Sequence, residues 1–228
     1  MQIVTLDAES ESKVFGLVAG PAGIGKTTQA TTFPKKETLI LSLEKGLLSI
    51  KGSGYAAIEI NSYDEVMEAI DNIKKIAPWC KYLFIDSLAE IYDLITKDAK
   101  DKFTPAQAFP MRDYIRMRLF HCIRSAKNLD ISCFFVCHTK MEKNGLDLTE
   151  ELSFEGKLPQ DIKKQFDLIL HMTNYETEEG ETHRVFKTSP EVSTVAKRRV
   201  SPWLNIEIKD IEEPNLYELT KKLLGKGE

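Results

Sequence analysis

Cysteine is scarce in this sequence. Four occur in 228 residues, Cys80, Cys122, Cys133 and Cys137. That is too few for a disulfide framework at this length, and reduced thiols are the expectation. Cys133, Cys137 and His138 crowd into "ISCFFVCH". In an extended run, however, the two cysteines share a face with Phe135 between them, and His138 points the other way. No second ligand pair of zinc spacing follows, so these read as buried strand cysteines. Excess positive charge is also missing: 31 Lys and Arg stand against 35 Asp and Glu, a net charge of −4. No global field draws nucleic acid, and any such binding must come from local clusters. No apolar run approaches the length of a membrane span, and no signal-peptide pattern appears. A cytoplasmic protein with no membrane partner is therefore expected. Internal repeats, low-complexity tracts and composition breaks are absent too. The expected organisation is one core over residues 13–228, preceded by an arm or edge strand over 1–12.

What is present is ordinary globular material, 42% hydrophobic and 29% charged, enough for a substantial core. "KVFGLVAG", "ETLILSLEKG", "YAAIEIN", "KYLFIDS", "ISCFFVCHT" and "FDLILHM" read as strands. Between them lie helical stretches: "KTTQATTFP", ended near Pro34, "SYDEVMEAIDNIKKIAP" and "MRDYIRMRLFHCIRSAKNLD". The second opens with a capping box, Ser62 and Glu65. "NYETEEGETHRVFK" reads as a hairpin turning at Glu179-Gly180. "STVAKRR" and "WLNIEI" read as late strands and "PNLYELTKKLLGK" as a closing helix. "KMEKNGLDLTEELSFEGKLPQDIKKQ" is polar with little periodicity. The alternation predicts an α/β fold: a mostly parallel central sheet flanked by helices, with antiparallel strands added near the C-terminus.

"GPAGIGKTT" fits the phosphate-cradling pattern G-x-x-x-x-G-K-[ST], and it lies between a strand and a helix as that pattern requires. Gly20, Pro21, Ala22, Gly23, Ile24, Gly25, Lys26, Thr27 and Thr28 are the candidate nucleotide-binding residues. Backbone N–H groups converge on phosphate oxygens there. Lys26 reaches the outer phosphates, and the Thr27 hydroxyl binds Mg²⁺. A second metal contact is expected from Asp86, which closes the apolar strand "KYLFIDS". A bare carboxylate in that position is costly unless something compensates it. Hydrolysis further needs a group that orients water. Glu44, at the end of "LILSLE", is the candidate, although a solvated surface glutamate satisfies the sequence equally.

Together these stretches resemble the RecA-like recombinase core of P-loop NTPases, over roughly Val14 to Leu204. The resemblance implies a catalytic glutamate in "LSLEKGL", a metal-binding acid in "FIDSLA", and ATP with Mg²⁺ as cofactors. It implies a γ-phosphate-sensing side chain at the end of "FFVCHTK". That residue is usually Gln and is His138 here. It also implies cations lent across a subunit boundary from a lysine-rich stretch before a Pro-aromatic pair. "VAKRRVSPWL" is similar, with Lys197 and Arg199 in the matching places. Short cores of this type occur in bacteriophages. The implied role is recombination or single-strand annealing in a bacterial host cell. The implied partners are single-stranded DNA, a single-stranded-DNA-binding protein and further copies of the chain in a filament or ring. The DNA-contacting region maps to 139–165, with Lys140, Lys143, Lys157, Lys163 and Lys164 as candidates. Phe154 either stacks on a base or packs inward. Arg112, Arg116, Arg118 and Arg124 form a second basic element on a helix with one buried face. Two other classes share the cradle: a P-loop small-molecule kinase, and an oligomeric regulatory ATPase without DNA contact.

Overall fold

The computed structural model describes residues 13–44, 47–144, 147–190, 195–201 and 206–226. The expected arm over 1–12 lies outside these, as do the Pro202-Trp203 pair and Lys45 beside Glu44.

Among the described residues, ten strands form one connected sheet. In chain order they are β1 (Phe15–Gly20), β2 (Thr38–Ser42), β3 (Ala56–Glu59), β4 (Tyr82–Asp86), β5 (Ser132–Asn144), β6 (Asp147–Leu152), β7 (Leu168–Glu176), β8 (Thr182–Lys187), β9 (Lys197–Arg198) and β10 (Ile211–Glu212). The helices are α1 (Tyr63–Asp71), α2 (Ile73–Ile76), α3 (Leu88–Lys102), α4 (Ala108–Lys127), α5 (Leu158–Gln165) and α6 (Leu216–Leu223). The sheet runs β10-β8-β7-β1-β5-β4-β2-β3, with β6 on β5 and β9 on β7. The six strands from β7 to β3 are mutually parallel, and β6, β8, β9 and β10 are antiparallel additions. This is the α/β architecture of a RecA-like P-loop NTPase.

Both sheet faces are covered, and strand periodicity sorts the side chains between them. Phe15, Leu17 and Ala19 of β1 join Cys133, Phe135 and Cys137 of β5 in one core, under α1, α3, α4 and α5. Val18 and Phe134 face a second core with Ile24, Phe33, Phe84, Leu216 and Leu219. All four cysteines are buried and unbridged, and no cluster of three or more His, Cys, Asp or Glu side chains suited to a metal ion occurs among the described residues. No helix among them is long and apolar enough to cross a membrane.

Local chemistry accounts for several departures from the expected elements. The turn after the cradle is a 3-10 helix, Thr27–Thr32, instead of an α-helix. Its threonine hydroxyls bond back three residues: Thr28 to Gly25 O, Thr31 to Thr28 O and Thr32 to Gln29 O. That spacing suits the tighter helix. Ser62 caps α1 through the Glu65 N–H, but the Glu65 carboxylate reaches back to the Asn61 N–H. The polar segment after His138 is ordered: β5 runs on to Asn144 and pairs with β6 in a hairpin, and α5 follows. The strand expected over "WLNIEI" is absent at its described residues, Ile206–Ile208, and the late strand is Ile211–Glu212. Side chains take the carbonyls there. Arg198 Nη1 donates to Ile208 O at 2.7 Å and Thr188 Oγ1 to Lys209 O at 2.6 Å.

Candidate active site

The cradle leaves β1 where Gly20 lies level with His138 of β5. Gly20 has no room for a side chain, since a Cβ would sit 2.4 Å from Met172 O. Gly25, at φ 102°, holds a backbone conformation that glycine alone adopts readily. Lys26 is 5% exposed. Its Nζ donates to Pro21 O at 2.8 Å and approaches His138 Nδ1 at 3.2 Å. Burial lowers its pKa, and the nearby Asp86 and Glu44 carboxylates partly offset that.

Asp86 ends β4 one strand beyond β5 and is also 5% exposed. Thr27 Oγ1 donates to its Oδ2 at 2.6 Å, while Oδ1 is buried with no partner. Burial raises the Asp86 pKa against the opposing hydrogen bond from Thr27. A buried, half-satisfied carboxylate joined to the cradle threonine is the donor set that a hard cation with oxygen ligands would use. Thr27 and Asp86 would hold such an ion.

Glu44 follows the end of β2. His138 Nε2 lies 3.2 Å from its Oε1, and the Ser87 hydroxyl also bonds it. The His138 hydrogen bond is the largest cause of its lowered pKa. The tautomer of His138 follows from its neighbours. The Lys26 ammonium carries donors only, so we assign Nδ1 as an acceptor and place the ring proton on Nε2, pointed at Glu44. Lys26, His138 and Glu44 thus form one chain of contacts across the sheet edge, with Asp86 beside it. Ser87 has a second duty there, since its oxygen N-caps α3 through the Glu90 N–H. No spacing in the sequence points Ser87 at Glu44, although it sits in the same Asp-Ser strand end as Asp86.

The late basic pair is placed differently. β9 pairs with Leu168 and Ile169, at the start of β7, whereas the cradle follows the far end of the parallel strands. Lys197 and Arg199 therefore lie near the sheet edge opposite their own chain's cradle. They do not act as one unit either. Lys197 turns inward, donating to Lys163 O at 2.8 Å and Phe166 O at 2.7 Å. The Arg199 side chain is 58% exposed and pairs with Asp167 at 2.9 Å. Arg198, between them, pairs with Asp210.

Of the candidate DNA contacts, three are engaged inside the chain. Lys140 donates to Phe154 O at 2.7 Å and pairs with Glu142. Lys163 pairs with Glu151 at 2.6 Å and Lys164 with Asp161 at 2.8 Å. Lys143 and Lys157 are exposed. Phe154 packs inward, edge-on to Tyr92. Among the α4 arginines, Arg118 is not a solvated residue. It is half-buried, stacks on Tyr63 at 4.1 Å and pairs with Asp64.

No match is found among curated proteins. A family model described as "AAA domain" matches residues 12–200, most of the chain, including Lys26, Thr27, Glu44, Asp86 and His138. The chain belongs to this AAA-domain family of P-loop ATPases.

Proposed function

We propose that the protein is a Mg²⁺-dependent ATPase whose hydrolytic centre is Lys26, Thr27, Asp86, Glu44 and His138. The observation that carries this reading is the convergence of Glu44, His138 and Lys26 through two 3.2 Å contacts, beside an Asp86 oxygen that is buried without a partner. Bound Mg-ATP supplies the electrophilic phosphorus and the charge that Lys26 and Asp86 meet. Glu44, held ionised by its hydrogen bond from His138, is the group that orients and deprotonates water. Lys26 trades its neutral partners, Pro21 O and His138 Nδ1, for phosphate oxygens, a stronger charge-assisted contact. His138 then loses a donor on one side while still holding Glu44 on the other.

The finer reading is that the protein assembles on single-stranded DNA and serves recombination or annealing. Two features support it. The basic strand β9 lies at the start of β7, at the end of the strands away from its own cradle, so Lys197 and Arg199 could meet a triphosphate only if it were held by a neighbouring copy. Arg199 is the side chain with reach, while Lys197 fixes the strand against α5. The exposed Lys143 and Lys157, on the hairpin and at the start of α5, leave cations available for phosphate contacts, which repetition along a strand would multiply.

The deciding experiment measures ATP turnover with and without single-stranded DNA, with particle size followed in parallel. Turnover that rises with DNA as larger particles form, and falls with salt, upholds the reading. Full turnover by a monomer indifferent to DNA sinks the assembly part and leaves an ATPase. A mixing test isolates the neighbour's contribution. Arg199→Ala and Glu44→Gln proteins, each inactive alone, should regain activity when combined, because mixed interfaces pair one intact Glu44 with one intact Arg199.

A further inference from the structure

Arg184 has no place in the hydrolytic centre, yet its guanidinium lies beside the cradle. On β8 it stands opposite Asn174 of β7. It shares a strand face with Phe186, two residues on, whose side chain packs in the core that contains Ile24 and Met172. A Cβ built on Gly25 would lie 3.3 Å from Arg184 Nη1, 3.2 Å from Thr28 Oγ1 and 3.4 Å from Met172 Cε. The guanidinium is thus laid against the loop whose amides receive phosphate. Arg184 is exposed, and its guanidinium has no hydrogen-bond or ion-pair partner among the described residues. It differs in this from Arg116, Arg118, Arg198 and Arg199, each of which pairs with an aspartate.

The sheet order gives the direction in which a nucleotide must run. Every group aimed at the hydrolysed end comes from one side of β1: His138 from β5, Asp86 from β4, and Glu44 just past β2. Arg184 comes from the other side, beyond β7. A triphosphate lying in the cradle with its γ end toward Glu44 carries its α-phosphate and nucleoside toward β8. Arg184 also lines an open groove of about 580 Å³ between β8 and β10, with Thr182, Ile211, Glu213 and Pro214 among its other walls.

We propose that Arg184 is a nucleotide-binding residue supplied by the same chain, its guanidinium engaging the α-phosphate end where the nucleoside leaves the cradle for the β8–β10 groove. The proposal rests on reading the cradle as an ATP site. A planar guanidinium suits phosphate oxygens, which it can meet with two parallel hydrogen bonds. A contact at the α-phosphate is common to ATP and ADP and does not change as the γ-phosphate leaves. It strengthens binding and leaves the chemical step alone.

The test uses the full chain and measures ATP and ADP affinity together with kcat at saturating ATP, for wild type, Arg184→Ala and Arg184→Lys. Arg184→Ala should weaken ATP and ADP alike, by roughly 10- to 100-fold, the range of one charge-assisted hydrogen bond. Its kcat should stay within about threefold of wild type, and Arg184→Lys should recover part of the affinity through charge alone. Unchanged affinity for both nucleotides overturns the proposal. So does a loss confined to ATP, or a fall in kcat with affinity intact, since either places Arg184 at the hydrolysed end. The two readings fail separately. A wild-type protein that binds neither nucleotide sinks the ATP site itself, whereas one that binds both and ignores Arg184→Ala sinks only this assignment.

Discussion

Lys26 and Lys197 invite comparison. Each is a lysine drawn in from solvent, one at each edge of the same sheet, and burial lowers the basicity of both. Their partners differ in kind. Lys197 donates to two carbonyls at the C-terminal end of α5, Lys163 O and Phe166 O. Both acceptors are fixed backbone carbonyls, and a cation there also meets the negative end of the helix dipole. That ammonium is a structural tie. Lys26 instead holds a carbonyl of its own loop and a neutral imidazole nitrogen, with two carboxylates close by. Phosphate would be a better partner than either. A withdrawn lysine is a fastener where its acceptors are fixed; where they are replaceable it is free to take a better one, as the proposed ATP site asks of Lys26.

The sharpest break between the two edges should appear in turnover. Glu44→Gln keeps the shape and the contact with His138 but cannot take a proton. We expect kcat to fall by roughly 10²- to 10⁴-fold, the usual worth of a positioned general base, with ATP affinity within about threefold of wild type. Steady-state turnover and equilibrium binding measured on one preparation check this. A loss of binding equal to the loss of turnover would remove Glu44 from the water-orienting role. Next comes Lys26→Ala, expected to weaken ATP by on the order of 100-fold, as befits a charged group meeting more than one phosphate oxygen. Its effect on folding should be small, because Pro21 O and His138 can turn to water at the open edge of the loop.

At the opposite edge the expectation reverses. Lys197→Ala should cost roughly 1–3 kcal/mol of stability by leaving two carbonyls at the α5 terminus short of a donor. Arg199→Ala, which removes only an exposed ion pair, should stay within about 1 kcal/mol of wild type. Chemical denaturation of both variants makes the comparison. If Arg199→Ala proves the more destabilising, the division between fastener and reaching side chain is wrong.

Much of this edge-to-edge design was legible in the chain, and the reasons for its limits are physical. The parallel strands could be read because strands covered on both faces are continuous apolar runs, as in "FGLVAG" and "YLFID". The cradle was readable because its requirements are local: glycines for backbone freedom, Lys26 and Thr27 at fixed offsets. Glu44, Asp86 and His138 could each be named as strand ends, yet no spacing shows that His138 stands between Lys26 and Glu44. That depends on β5 entering the sheet between β1 and β4. Arg184 was invisible for the same reason, since its approach to Gly25 passes through β7, a non-local pairing. The hairpin after His138 was missed on composition. "MEKNGLDLTEEL" is so highly charged that it read as loop, although Asn144-Gly145 is a turn signal and Leu152, fully buried, anchors the returning strand. The inward turn of Lys197 could not be read either, because its acceptors lie 31 and 34 residues earlier.

The smallest expected effect tests the carboxylate that Lys26 faces. Burial holds the Asp86 pKa above its ordinary value, so without a cation the ionised group costs the folded state free energy. The sign follows from the two protonation states. Above the raised folded value Asp86 is ionised both folded and unfolded, and the cost is fully present. Below the ordinary value, about 3.9, it is protonated in both and the cost is gone. Asp86→Asn keeps an acceptor for Thr27 and removes the charge. The metal-free variant should therefore be more stable than wild type at neutral pH by roughly 1 kcal/mol, the difference between leaving a charged and a neutral group unpaired. That corresponds to about 2–4 °C in Tm for a chain of this size. The advantage should shrink as pH falls through the raised folded value toward 4. The same substitution should weaken Mg²⁺-dependent binding of ATP, so that added Mg-ATP raises the wild-type Tm more than the variant's. Thermal melts at several pH values, with and without Mg-ATP, read both signs. A variant less stable than wild type at every pH would mean that Asp86 is a satisfied structural acid, and the metal assignment would lose its main support.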